Sequence, residues 1–220
     1  MKNCLQYPKN YKLLRIEKIL DKEETSGRKF TASGVMKLLV AITGASGLPL
    51  AVRFLEILGK YNIERHLVIS EHAKEVQKYE HAQKIEIDWN KLSEKQYQEN
   101  EIWASVCSGT YPIDGMIVIP CSMNTLAAIA HGLENNLITR AVSVNLKQQR
   151  RVILVPRETP LSLTHIENMR LAKLSGCSIV LPTIAFYFQP KTIDDLLNYT
   201  VGKILELFNI QHELYPSWQV

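Results

Sequence analysis

The chain has 220 residues, of which 46% are hydrophobic and 22% charged, and its formal net charge is +4. This length suits one α/β domain with or without an appendage, and this composition excludes disorder over most of the chain. No apolar run approaches the roughly 20 residues of a membrane span, and the sequence opens with no apolar stretch long enough for a signal peptide. The charge is unevenly placed. Residues 1–35 hold eight basic and four acidic side chains, which is the whole of the excess. The neutral remainder gives no electrostatic case for nucleic acid. Cys4, Cys107, Cys121 and Cys177 form no CxxC pair, so the pattern is neither a zinc site nor a disulfide framework. Reduced thiols in the cytoplasm are the expectation.

In chain order, residues 1–35 read as a basic N-terminal extension, flexible or with one short helix. Met36 could itself be a translation start, and a solvated tail is favoured over a targeting role. Residues 36–220 read as one domain. Leu38–Ile42 is a short continuous apolar run, as expected of a strand buried on both faces. Leu50–Leu58 has helical spacing, with Gly59 as its stop. A strand follows at His66–Ser70 and a helix at Glu71–His81, while residues 83–104 are polar and irregular with one weak strand. Gly115–Ile119 and Val152–Val155 are further buried strands, and Ser178–Leu181 is the last. Helices are expected at 123–131, 137–149, Leu161–Leu174 and Ile193–Phe208. Strands alternating with helices imply right-handed βαβ units, a mostly parallel sheet and helices on both faces. Ligands of such sheets bind beyond the carboxyl ends of the strands.

The polar clusters fall at those ends. Thr43-Gly44-Ala45-Ser46-Gly47 joins the first strand to a helix. Its glycines and the helix N-terminus suit a phosphate or flavin cradle, and the alternative is an ordinary tight turn. Ser70, where an acidic ribose partner would close the second strand, favours a mononucleotide over a dinucleotide. Ser122, Met123, Asn124 and Thr125 form a second strand-to-helix turn that can cap the helix and present donors to a ligand. Cys121 is a nucleophile or, as favoured, a small buried residue. Arg140 and Lys147 lie seven apart on one helix face. Arg157 and Glu158 follow a buried strand. They suit a forked phosphate contact and a proton carrier, or else a buried ion pair. Tyr187 lies in an aromatic loop, and no His or Asp pair has metal spacing.

Taken together, Ile42–Gly47, Leu67–Ser70, Ser108-Gly109-Thr110, Pro120–Ala127, Asn136–Ala141, Leu146-Lys147, Leu154–Pro160 and Phe186-Tyr187 resemble the UbiX-type flavin prenyltransferases. That family lies within a superfamily of flavin-binding cysteine-type decarboxylases. The likeness covers about residues 37–210. It implies a three-layer Rossmann/flavodoxin-like fold. It also implies transfer of a dimethylallyl group from dimethylallyl phosphate to N5 and C6 of reduced FMN. The product would be prenylated FMN for a UbiD-type decarboxylase, in ubiquinone biosynthesis or aromatic acid decarboxylation. The resemblance assigns FMN to Gly44, Ala45, Ser46, Ser70, Ser122, Met123, Asn124, Thr125, Arg140 and Arg157. It assigns the donor to Ser108, Lys147, Arg157, Glu158, Tyr187 and Lys203. Glu158, Glu80, Ser46 and Lys147 would be catalytic, with Glu158 returning a proton to phosphate and Glu80 removing the C6 proton. It further implies no metal and a homododecamer with active sites at subunit junctions. Lys203 stands where the family usually carries Arg, so the charge is kept and the forked geometry lost. That leaves monophosphate and diphosphate donors both open. Two alternatives are an FMN-dependent decarboxylase of a cysteine-containing substrate and a non-catalytic flavin carrier. The Arg157-Glu158-Thr159-Pro160 and Lys147 set favours phosphate chemistry over the first, and the joint presence of Glu80, Glu158, Lys147 and Lys203 argues against the second.

Overall fold

The computed structural model describes residues 34–80 and 87–218. The extension at 1–35 therefore lies outside the described residues, apart from its last two positions. Six strands form one sheet: β1 (Met36–Ile42), β2 (Ile63–Ile69), β3 (Lys95–Tyr97), β4 (Gly115–Cys121), β5 (Arg151–Pro156) and β6 (Ser178–Ile179). Their order is β3-β2-β1-β4-β5-β6 and every pairing is parallel. Among the described residues seven α-helices accompany them: α1 (Leu48–Leu58), α2 (Glu71–Glu80), α3 (Trp89–Leu92), α4 (Met123–Ala130), α5 (Leu137–Lys147), α6 (Leu163–Leu174) and α7 (Ile193–Leu207).

The alternation of a pleated strand builds the two halves of the core. On one face Leu38, Val40 and Ile42 pack with Phe54, Leu55 and Leu58 of α1 and with Val201, Ile204 and Leu205 of α7. On the other, Leu39 and Ala41 pack with Leu126 of α4, Ile138 and Val142 of α5 and Ala172 of α6. Both faces are covered, which is why the strands read as unbroken apolar runs.

Two local expectations need correcting. Helix α1 does stop at Gly59, but the glycine is right-handed (φ −63°). It is needed for space, because a Cβ there would sit 2.5 Å from Arg65 Nη1. That guanidinium donates to Leu55 O at 3.2 Å and pairs with Glu94 at 2.5 Å. Strand β6 is two residues long, shorter than the expected Ser178–Leu181. Val180 N still bonds Leu154 O at 2.9 Å, after which Thr183 N turns back onto Leu181 O at 2.8 Å. Pro182 ends an edge that carries no further ladder.

Candidate functional site

β1 and β4 are neighbours at the centre of the sheet. The chain leaves β1 towards β2 on one side and leaves β4 towards β5 on the other. That divergence opens a crevice beyond their carboxyl ends. The turns at 43–47 and 120–125 meet there, and one buried hydroxyl joins them. Thr43 Oγ1 donates to Pro120 O at 2.8 Å and accepts from Ser122 N at 2.7 Å. Thr43 N also donates to Pro120 O, at 3.2 Å. Thr43 was not among the expected site residues. It opens the expected Thr43–Gly47 turn, but no role was assigned to its hydroxyl.

Each side of the crevice is a capped helix start. Gly44 lets its turn lie against α2, since a Cβ there would meet His72 Cβ at 2.6 Å. Gly47 has φ 123°, which favours glycine. Glu80, from the far end of α2, accepts Gly47 N at 2.9 Å and Leu48 N at 2.9 Å. The anion seat of α1 therefore holds the chain's own carboxylate, and the phosphate half of the cradle reading does not hold at this helix. Glu80 is instead fixed beside the Ser46 turn. Ser70 is buried, and its Oγ accepts Ala73 N at 3.1 Å at the start of α2. At α4, Ser122 Oγ accepts Thr125 N at 3.2 Å and bonds Thr125 Oγ1 at 3.0 Å. The N–H groups of Met123 and Asn124 precede any intrahelical acceptor and form the second anion seat. This donor set, with hydroxyls, an amide, a helix start and arginine nearby, suits a planar ligand with a phosphate tail such as FMN.

Arg157 and Glu158 leave β5 at the same edge and are both exposed. Glu158 accepts its neighbour's Thr159 N at 2.9 Å, and no ion pair joins it to Arg157 among the described residues. The buried ion-pair alternative is thereby excluded. Arg140, one turn into α5, pairs with Glu134 at 2.7 Å. Glu99, missed by sequence reasoning, ties two helix starts at this edge. Its carboxylate accepts Glu71 N at 2.9 Å and Asn136 Nδ2 at 2.7 Å. Burial pushes the Cys121 thiol well up, with Cys177 adding to the effect, so Cys121 is a packed thiol and not a nucleophile.

The remaining expected residues lie elsewhere in the chain. Lys147 ends α5 just before β5 begins at Arg151, so it lies at the amino edge of the sheet. Ser108 is there too: Arg150 Nη2 donates to Gly109 O at 2.7 Å, and the segment leads into the start of β4. A strand of this length spans about 18 Å, which separates both residues from the crevice. Tyr187 and Lys203 form a third group. The Tyr187 ring lies 6.1 Å from that of Tyr199 on α7, and Lys203 Nζ lies 5.7 Å from the Tyr199 centroid. α7 ends at the amino edge, where Phe208 stands against Gly115.

The sequence pattern of the Flavoprotein family matches residues 27–205. A probable UbiX-like flavin prenyltransferase of Sedimentibacter hydroxybenzoicus is 45% identical over 84% of this chain and 97% of its own length. Two solved structures are also similar. AnUbiX (PadA1), in complex with FMN and dimethylallyl pyrophosphate, has a TM-score of 0.80 at 39% identity, covering 84% of this chain and 98% of that one. A dodecameric FMN-dependent UbiX-like decarboxylase from Escherichia coli O157:H7 has a TM-score of 0.80 at 41% identity, covering 84% and 100%. With the crevice and its capped turns in place, these likenesses show that the chain belongs to the flavoprotein family and, within it, to the UbiX-like flavin prenyltransferases.

Proposed function

We propose that this chain moves a dimethylallyl group from dimethylallyl phosphate to N5 and C6 of reduced FMN, making prenylated FMN for a UbiD-type decarboxylase. The observation that carries this is the crevice itself, where Thr43 fastens two helix starts together and Glu80 is fixed beside the Ser46 turn. Reduced FMN, when bound, supplies the nucleophilic N5 and C6. Gly44, Ala45, Ser46, Ser70, the Ser122–Thr125 turn, Arg140 and Arg157 hold it. Ser46 assists proton movement at N5. Glu80 takes the proton from C6. Ser108, Lys147, Arg157, Tyr187 and Lys203 bind the donor phosphate and stabilise it as it leaves. Glu158 returns a proton to that phosphate.

Ser108 and Lys147 lie at the opposite edge of the sheet from the crevice, and Tyr187 and Lys203 group on the outside of α7. We therefore read the working enzyme as a homo-oligomer in which other copies bring these residues to each flavin. A dodecamer like that of the Escherichia coli O157:H7 relative is the proposed assembly. Exposed apolar side chains such as Leu163, Phe186 and Ile193 suit such contacts. The described residues contain no helix long and apolar enough to cross a membrane. A cytoplasmic enzyme with a dispensable extension at 1–35 completes the reading.

The test is anaerobic incubation with reduced FMN and dimethylallyl phosphate, read by the mass of the flavin. A flavin that gains five carbons supports the proposal. Bound FMN that gains no mass sinks it. Light scattering of the same sample tests the assembly.

A further inference from the structure

Lys203 is held by one side chain of its own helix and one of the chain's last segment. Its Nζ donates to Glu206 Oε2 at 2.9 Å and Oε1 at 3.2 Å. It also lies 5.2 Å from the centroid of the Tyr215 ring. The Tyr215 hydroxyl donates to the same Glu206 carboxylate. His212 Nε2 is 3.7 Å from Glu206 Oε1 and 3.0 Å from Gly202 O. Gly202 makes this possible, because a Cβ there would meet Tyr215 Cε1 at 2.4 Å and His212 Cε1 at 2.6 Å. Burial works against the Lys203 charge, but hydrogen bonds to Tyr215 and Glu206 outweigh it and raise its pKa. Residues 209–218 thus form a strap across the end of α7, and Trp218 at its far end packs 5.2 Å from Tyr187.

We propose that Glu206, set by Tyr215, determines donor specificity. It anchors Lys203 and cancels part of its charge, which fits the site to a phosphate monoester and against a diphosphate ester. This rests on the reading of Lys203 as a donor-binding residue. A lysine is a compact charge on a flexible stem, and lacks the forked geometry that lets arginine grip an anion unaided. Fixing that stem in advance removes an entropy cost from donor binding. The carboxylate that does the fixing stays beside the ammonium. A diphosphate brings more negative charge than a monophosphate, so the repulsion that Glu206 adds costs it more.

The test is calorimetric titration of the protein loaded with oxidised FMN, using dimethylallyl phosphate and dimethylallyl diphosphate as separate probes. The wild-type chain is expected to bind the monophosphate more tightly. Glu206→Gln should move the ratio of the two Kd values towards the diphosphate by about three- to tenfold, with FMN affinity unchanged. Glu206→Asp, which keeps the charge, should keep the wild-type preference. A wild-type preference for the diphosphate overturns the proposal without any variant. So does an equal effect of Glu206→Gln on both probes, or a Glu206→Asp that behaves like Glu206→Gln. Lys203→Met should weaken both probes. If it weakens neither, Lys203 is not a donor residue and the proposal falls with that assignment, while flavin mass still reports prenylation independently.

Discussion

The crevice at the carboxyl edge and the patch around Lys203 are built by different means. In the crevice, backbone groups do most of the holding. Thr43 is 2% exposed, Cys121 is fully buried, and the turns are fixed by bonds to Pro120 O, Ser122 N, Gly47 N and Leu48 N. In the patch, side chains hold one another on the outside of α7, where Lys203 and Glu206 keep 39% and 46% of their side-chain surface in contact with solvent. The first arrangement is held by hydrogen bonds to buried and half-buried backbone groups. The second depends on rings, a strap and a glycine that leaves room for it. A flavin seat can be preformed by the sheet, whereas the donor patch needs the strap at residues 209–218.

Damage to the crevice should cost most. Thr43→Val removes the hydroxyl that serves two buried backbone groups. It should destabilise the fold by about 2–4 kcal/mol and cut FMN affinity at least tenfold, seen by denaturant unfolding and flavin titration. Thr43→Ser should restore most of both. Next in size is Gly202→Ala. It should displace the strap, lowering kcat/KM for the donor by about tenfold, while FMN affinity stays within twofold of wild type. Equal loss of FMN and donor binding would erase the distinction between the two regions. Glu80→Ala removes the carboxylate that caps α1. It should cost about 1 kcal/mol in addition to its effect on prenylation, and Glu80→Gln should cost less.

The crevice was legible because its signals are local. Apolar runs marked the strands, and Ser, Asn and Thr directly after them marked the helix starts. What escaped were partners distant in sequence. Glu80 reaches Gly47 across 33 positions, and Glu99 reaches Asn136 across 37. The closeness of His212 and Tyr215 to Gly202 has no local pattern, because only packing brings a terminal strap onto a helix. Of the expected donor set, the sequence placed Lys147 and Lys203 on helices, Arg157 and Glu158 after a strand and Tyr187 in a loop. It could not show that Ser108 and Lys147 sit at the opposite edge from Ser46, since that follows from strand direction and connection.

A third region sharpens the comparison by pH. His66 is wholly buried on β2, bonded to Tyr97 Oη at 2.9 Å and Glu64 Oε1 at 2.8 Å. Burial pulls its pKa below the ordinary value despite Glu64. Its contribution to stability is therefore full above about pH 6.5 and lost as pH falls through the folded value. The hydrogen bond from Lys37 lowers Glu64 to about 2, against the opposing effect of burial and with further help from His66. That contribution is present above the unfolded value and is lost as pH falls towards 2. Unfolding measured from pH 7 to 3 should show falling stability in two stages, and Glu64→Gln should flatten the lower one. Smallest of all is the expected effect of deleting residues 1–33, which should leave FMN affinity and prenylation unchanged in flavin titration and mass measurements.

The placement of Lys147 at one edge of the sheet and Ser46 at the other carries a genetic consequence. In an assembly where each active centre draws on several copies, the two residues of one polypeptide serve different centres. A chain altered at Ser46 and a chain altered at Lys147, each inactive alone, would then rescue each other when made in the same cell. Some centres in the mixed particle would receive an intact residue from each parent. The doubly altered chain, mixed with wild type, would instead poison its neighbours' centres as well as its own.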